Sequence, residues 1–183
     1  PADLALATRE TYRGWGVEAC FGDPVMKIER SAKRVVTANG RVFEYDKLVL
    51  ATGSYPFVPP VPGADNGRCL TYRTIDDLGE IRAKARDSKV GVVVGGGLLG
   101  LECGNALRNL ALETHVVEFA PGLMGVQLDD GGSAMLRRKI ESLGVRVHTG
   151  MNTKSIGKGG DCALRMEFAD GSQRLFVPGT GSR

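Results

Sequence analysis

Three glycines at positions 95, 97 and 100 follow the apolar run V-G-V-V-V at residues 90–94 and open residues 98–110, where apolar side chains recur at helical spacing. A G-x-G-x-x-G between a strand and a helix suits a bound diphosphate. Gly95 makes the tight turn, Gly97 lets the backbone approach the pyrophosphate, and Gly100 lets helix and strand pack closely, with Gly96, Leu98 and Leu99 completing the loop. The helix N-terminus offers unpaired N–H groups and the positive end of its dipole. With 26 glycines in the chain the pattern alone says little, and its place between strand and helix carries the reading.

Glu118 follows Gly100 by eighteen residues and closes a second apolar run, residues 114–119. A carboxylate there can accept hydrogen bonds from the adenosine ribose hydroxyls. It would repel a 2′-phosphate, and no arginine follows in F-A-P-G, residues 119–122, so NADH is expected over NADPH by about tenfold or more. The competing reading is a charged strand end at the surface. Glu102 is expected in the first turn of the glycine-motif helix, either stabilising its N-terminus or standing near a nicotinamide; position does not choose between the two.

These residues need a scaffold, and the chain supplies one. A strand–turn–helix–strand unit runs through residues 90–119, a further helix fits residues 127–143, and V-R-V-H at 145–148 is a third strand. Residues 151–177 alternate around Gly159-Gly160 and Asp170-Gly171, which predicts a small antiparallel meander. Upstream, Thr74 caps a helix over residues 74–86 with Asp76 and Asp77 in its first turn. The N-terminal third predicts a helix over residues 4–13, a strand over 17–21, a hairpin turning at Asn39-Gly40, and a buried strand at residues 48–51 that stops at Thr52-Gly53. Prolines 56, 59, 60 and 62 then make an extended connector. The fold class is α/β: a Rossmann-like parallel sheet with an antiparallel meander over residues 68–183, preceded in residues 1–67 by part of a second nucleotide-binding domain and the connector.

The chain has 183 residues, 42% hydrophobic and 25% charged, with a formal charge of +3 spread along its length, which describes a globular domain rather than a nucleic-acid binder. No apolar stretch approaches the roughly 20 residues that cross a bilayer, and no signal sequence opens the chain, so no membrane partner and a cytoplasmic location are expected. Cys20, Cys69, Cys103 and Cys162 are widely separated, without a C-x-x-C pair, and read as reduced structural thiols. His115 and His148 sit within apolar strand patterns and read as structural, so no metal site is expected.

The segments A-T-G-S-Y-P at residues 51–56, Y-R-T-I-D-D-L at 72–78, G-G-G-L-L-G-L-E at 95–102 and L-R-R-K-I-E-S-L-G-V-R-V-H-T at 136–149 resemble the flavin-dependent pyridine-nucleotide-disulfide oxidoreductases. Within that superfamily the likeness is greatest to the NAD(P)H nitrite reductase large subunits. The resemblance implies that Ala51, Thr52 and Gly53 lie beside an FAD, that Val25 offers backbone contacts to its adenine, and that Glu102 is the catalytic residue near the nicotinamide. Hydride would pass from NADH to FAD and onward through iron–sulfur and sirohaem centres to nitrite, giving ammonia. The chain resembles only a fragment of that route: it has no first G-x-G-x-x-G, no later G-D turn for the ribityl chain and no cysteine cluster for the metal centres, and its last apolar run, residues 175–178, is shorter than the family's. Those centres are thus expected only in other parts of the intact enzyme, and the partners are NADH and electron-accepting domains or subunits, with a homo-oligomer left open. A rubredoxin- or ferredoxin-reductase-like flavoprotein and a non-catalytic NADH-binding module are the alternatives.

Overall fold

The computed structural model describes residues 5–159 and 163–177, and the chain falls into two compact units, residues 1–55 and 56–183. The start of the first expected helix, Gly160 of one expected turn, Cys162, Pro178, Thr180 and Gly181 lie outside the described residues.

The first unit holds α1 (Arg9–Gly14) and a three-stranded antiparallel sheet of β1 (Val25–Glu29), β2 (Arg34–Thr37) and β3 (Val42–Glu44), in the order β1-β2-β3. Helix α1 is shorter than residues 4–13 because Thr8 stops it: its hydroxyl accepts from the Thr11 backbone N–H while Thr11 returns a bond to the Thr8 N–H, a reciprocal cap. Asn39-Gly40 does turn the β2–β3 hairpin, with Gly40 at φ +77°. Two expected strands do not form. Residues 17–21 and 48–51 have no regular secondary structure, and Val49 is 84% exposed. A strand exists only where neighbours take up its N–H and C=O groups, and apolar residues suited to burial on both faces find no such neighbours in this unit.

In the second unit α2 (Ile75–Arg86) begins at Thr74, whose hydroxyl accepts from Asp77 N while the Asp77 carboxylate accepts from Thr74 N. The parallel sheet follows: β4 (Val90–Val94), α3 (Leu98–Asn109), β5 (Glu113–Val117), α4 (Asp130–Ser142) and β6 (Arg146–His148), with strand order β4-β5-β6. Helix α4 starts three residues later than expected because Asp129 is its cap, accepting from Gly132 N at 2.7 Å. The antiparallel meander β7 (Thr153–Lys158), β8 (Leu164–Phe168) and β9 (Gln173–Phe176) completes the unit.

Alternation along β5 divides the core in two. Val116 packs with Ile81, Val93, Leu107, Leu123 and Val147 on the helical side, and Val117 packs with Met166, Phe168 and Phe176 of the meander on the other. The helices approach closely where side chains are missing: a Cβ on Gly104 would stand 3.3 Å from Val116 Cγ2, and one on Gly91 2.9 Å from Leu107 Cδ1. Helices α3 and α4 both end in Schellman turns. In α4 the left-handed position is Gly144, and in α3 it is Ala111 at φ +63°, with Ala111 N bonded to Arg108 O and Leu112 N to Leu107 O. The proline-rich connector is tied to β7, where Ile156 N donates to Pro62 O at 2.9 Å. Gly63 there, at φ +87°, passes so close that a Cβ would overlap the Ile156 carbonyl oxygen at 1.8 Å.

Candidate dinucleotide site

The glycine motif lies where the strand ladder stops, at the carboxyl ends of β4 and β5. Ligands of open α/β sheets bind outside these strand ends. Gly95 leaves β4 at φ +121°, a conformation that side chains oppose, while its N–H still donates to Val117 O at 2.8 Å. Gly97 is the cap residue of α3 and gives its helix no side-chain hydrogen bond, so the first N–H groups of α3 have no side-chain acceptor at that cap. No atom lies within 4 Å of where a Gly97 Cβ would stand, which leaves that backbone open to a ligand. Gly100 is needed for a different reason: its Cβ would sit 2.0 Å from Gly95 O, so any side chain would push helix from loop. Leu98 and Leu99 begin the helix and are exposed beside the loop.

Glu118 follows the last residue of β5 and is buried, 8% exposed. Its carboxylate does not project into solvent: one oxygen accepts from Gly96 N and the other from Ala120 N at 2.8 Å. A carboxylate has about four acceptor positions, so these two bonds leave about two for a ligand hydroxyl. Glu118 and the glycine loop are thus brought together. Glu102 is not in the first helical turn, as position had suggested, because the helix begins at Leu98 and places it in the second turn, exposed. Val25 on β1 and the run Ala51, Thr52 and Gly53 are all exposed in the first unit, with Gly53 at φ +69°. They make no enclosed cradle, so the residues present fit one side of a flavin site at most.

The structure adds contacts that residue spacing did not reveal. Leu123, fully buried, packs under the glycine loop, and Met124, at φ +53°, donates its N–H to Gly96 O at 3.0 Å. The only signal in this stretch was the turn-forming Pro121-Gly122, which marks a loop without saying what it touches.

On the meander side of β5 and β6, His115 and His148 stack with ring centroids 5.3 Å apart, His115 Nδ1 lying 2.9 Å from His148 Nε2. Phe176 meets both rings edge-on. Arg174 can only donate, so His148 Nδ1, 3.0 Å away, must accept, and the order of protons follows. His148 carries its proton on Nε2 and gives it to His115 Nδ1, which leaves His115 Nε2–H pointing towards Glu113 Oε1 at 3.4 Å. Burial holds His148 down at about 4, helped by the charges of Arg174, Arg137 and Arg146, and burial also lowers His115 against the opposing pull of Glu113. Both rings are structural neutral groups. Burial likewise raises the thiols of Cys69 and Cys103, which favours their protonated form. Among the described residues no group of three or more His, Cys, Asp or Glu side chains could hold a metal ion, and no helix is long and apolar enough to cross a membrane.

The sequence profile described as pyridine nucleotide-disulphide oxidoreductase matches residues 6–181. The chain is 54% identical over 92% of its length to the nitrite reductase [NAD(P)H] large subunit of Klebsiella oxytoca, and 51% identical over 93% to the nitrite reductase (NADH) large subunit of Escherichia coli strain K12. It spans only 18% and 20% of those two proteins. Among solved structures, a ferredoxin reductase from Rhodopseudomonas palustris superposes with a TM-score of 0.85 at 29% identity, covering 94% of this chain and 43% of that one.

Proposed function

The chain belongs to the pyridine nucleotide-disulphide oxidoreductase family, and from that premise we propose that its second unit binds NADH at the glycine loop as part of a longer NADH-dependent flavin reductase of the nitrite-reducing kind. The observation that carries this reading is the meeting of three features at one strand end: the Gly95 turn at a positive φ, the N-terminus of α3 without a side-chain cap, and the Glu118 carboxylate. The pyrophosphate would lie over Gly97, where the backbone is open, and accept from the first N–H groups of α3. Glu118 would accept from the adenosine ribose with its remaining lone pairs and disfavour a 2′-phosphate by like charge.

Bound NADH supplies a hydride, two electrons and one proton together, to an acceptor. In the whole protein that acceptor would be FAD, and Val25, Ala51, Thr52 and Gly53 of this chain would line one side of it. Glu102 would face the nicotinamide end from the second turn of α3, and iron–sulfur and sirohaem centres would belong to the remaining length of the nitrite reductase relatives. The likeness to a ferredoxin reductase supports a second reading with a different terminal acceptor, and the higher identity to the nitrite reductase large subunits supports the first.

Thermal unfolding tests the reading directly. NADH at about 100 times its dissociation constant should stabilise the folded chain by ~2.7 kcal/mol, a midpoint rise of roughly 5–11 °C for a chain of this size. NADPH at the same concentration should raise it less. Identical midpoints with and without NADH would end the proposal.

A further inference from the structure

We propose that Glu118 is a positioning residue for the glycine loop, holding Gly96 in its ligand-ready conformation before any dinucleotide arrives; this rests on the reading of that loop as the NADH site. Gly96 is gripped on every side. Its N–H donates to the Glu118 carboxylate, its C=O accepts from Met124 N at 3.0 Å, and a Cβ would lie 2.6 Å from Leu123 Cδ2 and 3.0 Å from Glu118 Cβ. The flanking glycines are held by one backbone bond each, Gly95 N–H to Val117 O at 2.8 Å and Leu101 N–H to Gly97 O at 3.0 Å, and a Cβ on either would meet nothing within 4 Å. A run of three glycines has a wide choice of backbone conformations, and ordering it only when the ligand binds would weaken binding.

The latch is itself immobile. The second carboxylate oxygen accepts from Ala120 N, the Glu118 N–H donates to His148 O at 2.8 Å, and the Glu118 C=O accepts from Met151 N at 2.9 Å. The side chain is buried and its backbone is tied to the end of β6 and to the segment after it, so moving the carboxylate aside for a 2′-phosphate would break its bonds to Gly96 and Ala120. Met124 adopts a left-handed conformation that non-glycine residues seldom take, and in doing so presents its N–H to Gly96. Glu118 therefore does two separable things: its oxygens order the loop, and its charge selects the nucleotide.

The two roles come apart in Glu118→Gln and Glu118→Ala. Glutamine keeps one acceptor oxygen for Gly96 while its NH₂ faces Ala120 N–H, and alanine keeps none; both lose the charge. Amide hydrogen exchange on the ligand-free full chain, followed by NMR, should show Gly96 exchanging about tenfold faster in Glu118→Ala, equivalent to about 1.4 kcal/mol, and at an intermediate rate in Glu118→Gln. The Val116 amide in the middle of β5 should keep its rate in both. The preference for NADH over NADPH should fall in both variants, since both lose the charge, and further in Glu118→Ala, which also loses the acceptor for the ribose hydroxyls. If Glu118→Ala does not fold, Glu118→Gln decides alone: Gly96 exchange faster by about threefold at constant Val116 supports the latch. Gly96 exchange unchanged in the variants, or rising only in step with Val116, overturns it. A wild-type chain with the expected exchange pattern but no affinity for NADH would leave the latch standing and refute the dinucleotide reading instead.

Discussion

Acidification should destabilise the second unit through His148, and the size of the effect can be worked from its surroundings. Folding lowers the imidazole from 6.5 to about 4, by burial first and then by the charges of Arg174, His115, Arg137 and Arg146. Because the folded value is the lower one, the unfolded chain binds the extra proton between about pH 6.5 and pH 4, and stability that is complete above that window is lost as pH falls through it. Protonation would also place a second N–H on His148 Nδ1, opposite the Arg174 guanidinium that now donates to it. Between about pH 7 and pH 5 a fully sheltered group with these values would lose about 2 kcal/mol. His148 is only half-buried, and solvent screening reduces this to about 1 kcal/mol, or a midpoint fall of about 2–4 °C. The assay compares thermal midpoints across that range for the wild type and for His148→Asn, whose amide oxygen can take the place of Nδ1 and accept from Arg174 but does not titrate. His115 and the carboxylates contribute to both proteins, so the difference in slope isolates His148. Parallel pH dependence in the two would show that the stacked pair does not set the acid sensitivity of this unit.

Two further substitutions probe the backbone. Gly100→Ala forces a methyl into the Gly95 carbonyl and should destabilise by about 1–3 kcal/mol while abolishing the NADH-induced midpoint shift; a variant that retains both stability and shift would contradict the close helix–loop contact. Ala111→Gly relieves a left-handed alanine at an exposed helix end, where about 1–2 kcal/mol of strain is offset by about 0.4–1 kcal/mol of unfolded-chain entropy, so a midpoint rise of about 1–3 °C is expected, and a fall would refute it.

The parts of this protein legible in the sequence are those determined locally. Thr74 with Asp77 marks a helix start within four residues, and the glycine motif between V-G-V-V-V and a helical run specifies its own turn, so both were readable from spacing. Residues 48–51 show the opposite case: the apolar run was plain, but whether it becomes a strand depends on neighbouring strands that a linear pattern does not describe. Glu102 was misplaced by one turn although the expected helix start, Leu98, is the observed one: counted from Leu98, Glu102 lies past the first turn. Glu118 was found for its spacing from Gly100, yet its hold on Gly96 comes from the fold of the loop after β5, where Leu123 and Met124 carry no motif. The histidine pair needed the register of β5 against β6, His115 opposite Arg146 and Val117 opposite His148, before the two rings could be seen to meet.

The contact between Pro62 and Ile156 changes what the proline-rich run does for the protein. Strand β7 borders its sheet, and a bare border can recruit a strand from another molecule. Pro62 lends its carbonyl to Ile156 but has no N–H to offer in return, and Gly63 lies too close to the Ile156 carbonyl for any side chain to fit. The segment therefore occupies the margin without extending it, as a guard rather than a further strand. A sequence change that loosened this bond would leave the dinucleotide chemistry intact and appear first as a protein that clouds when concentrated.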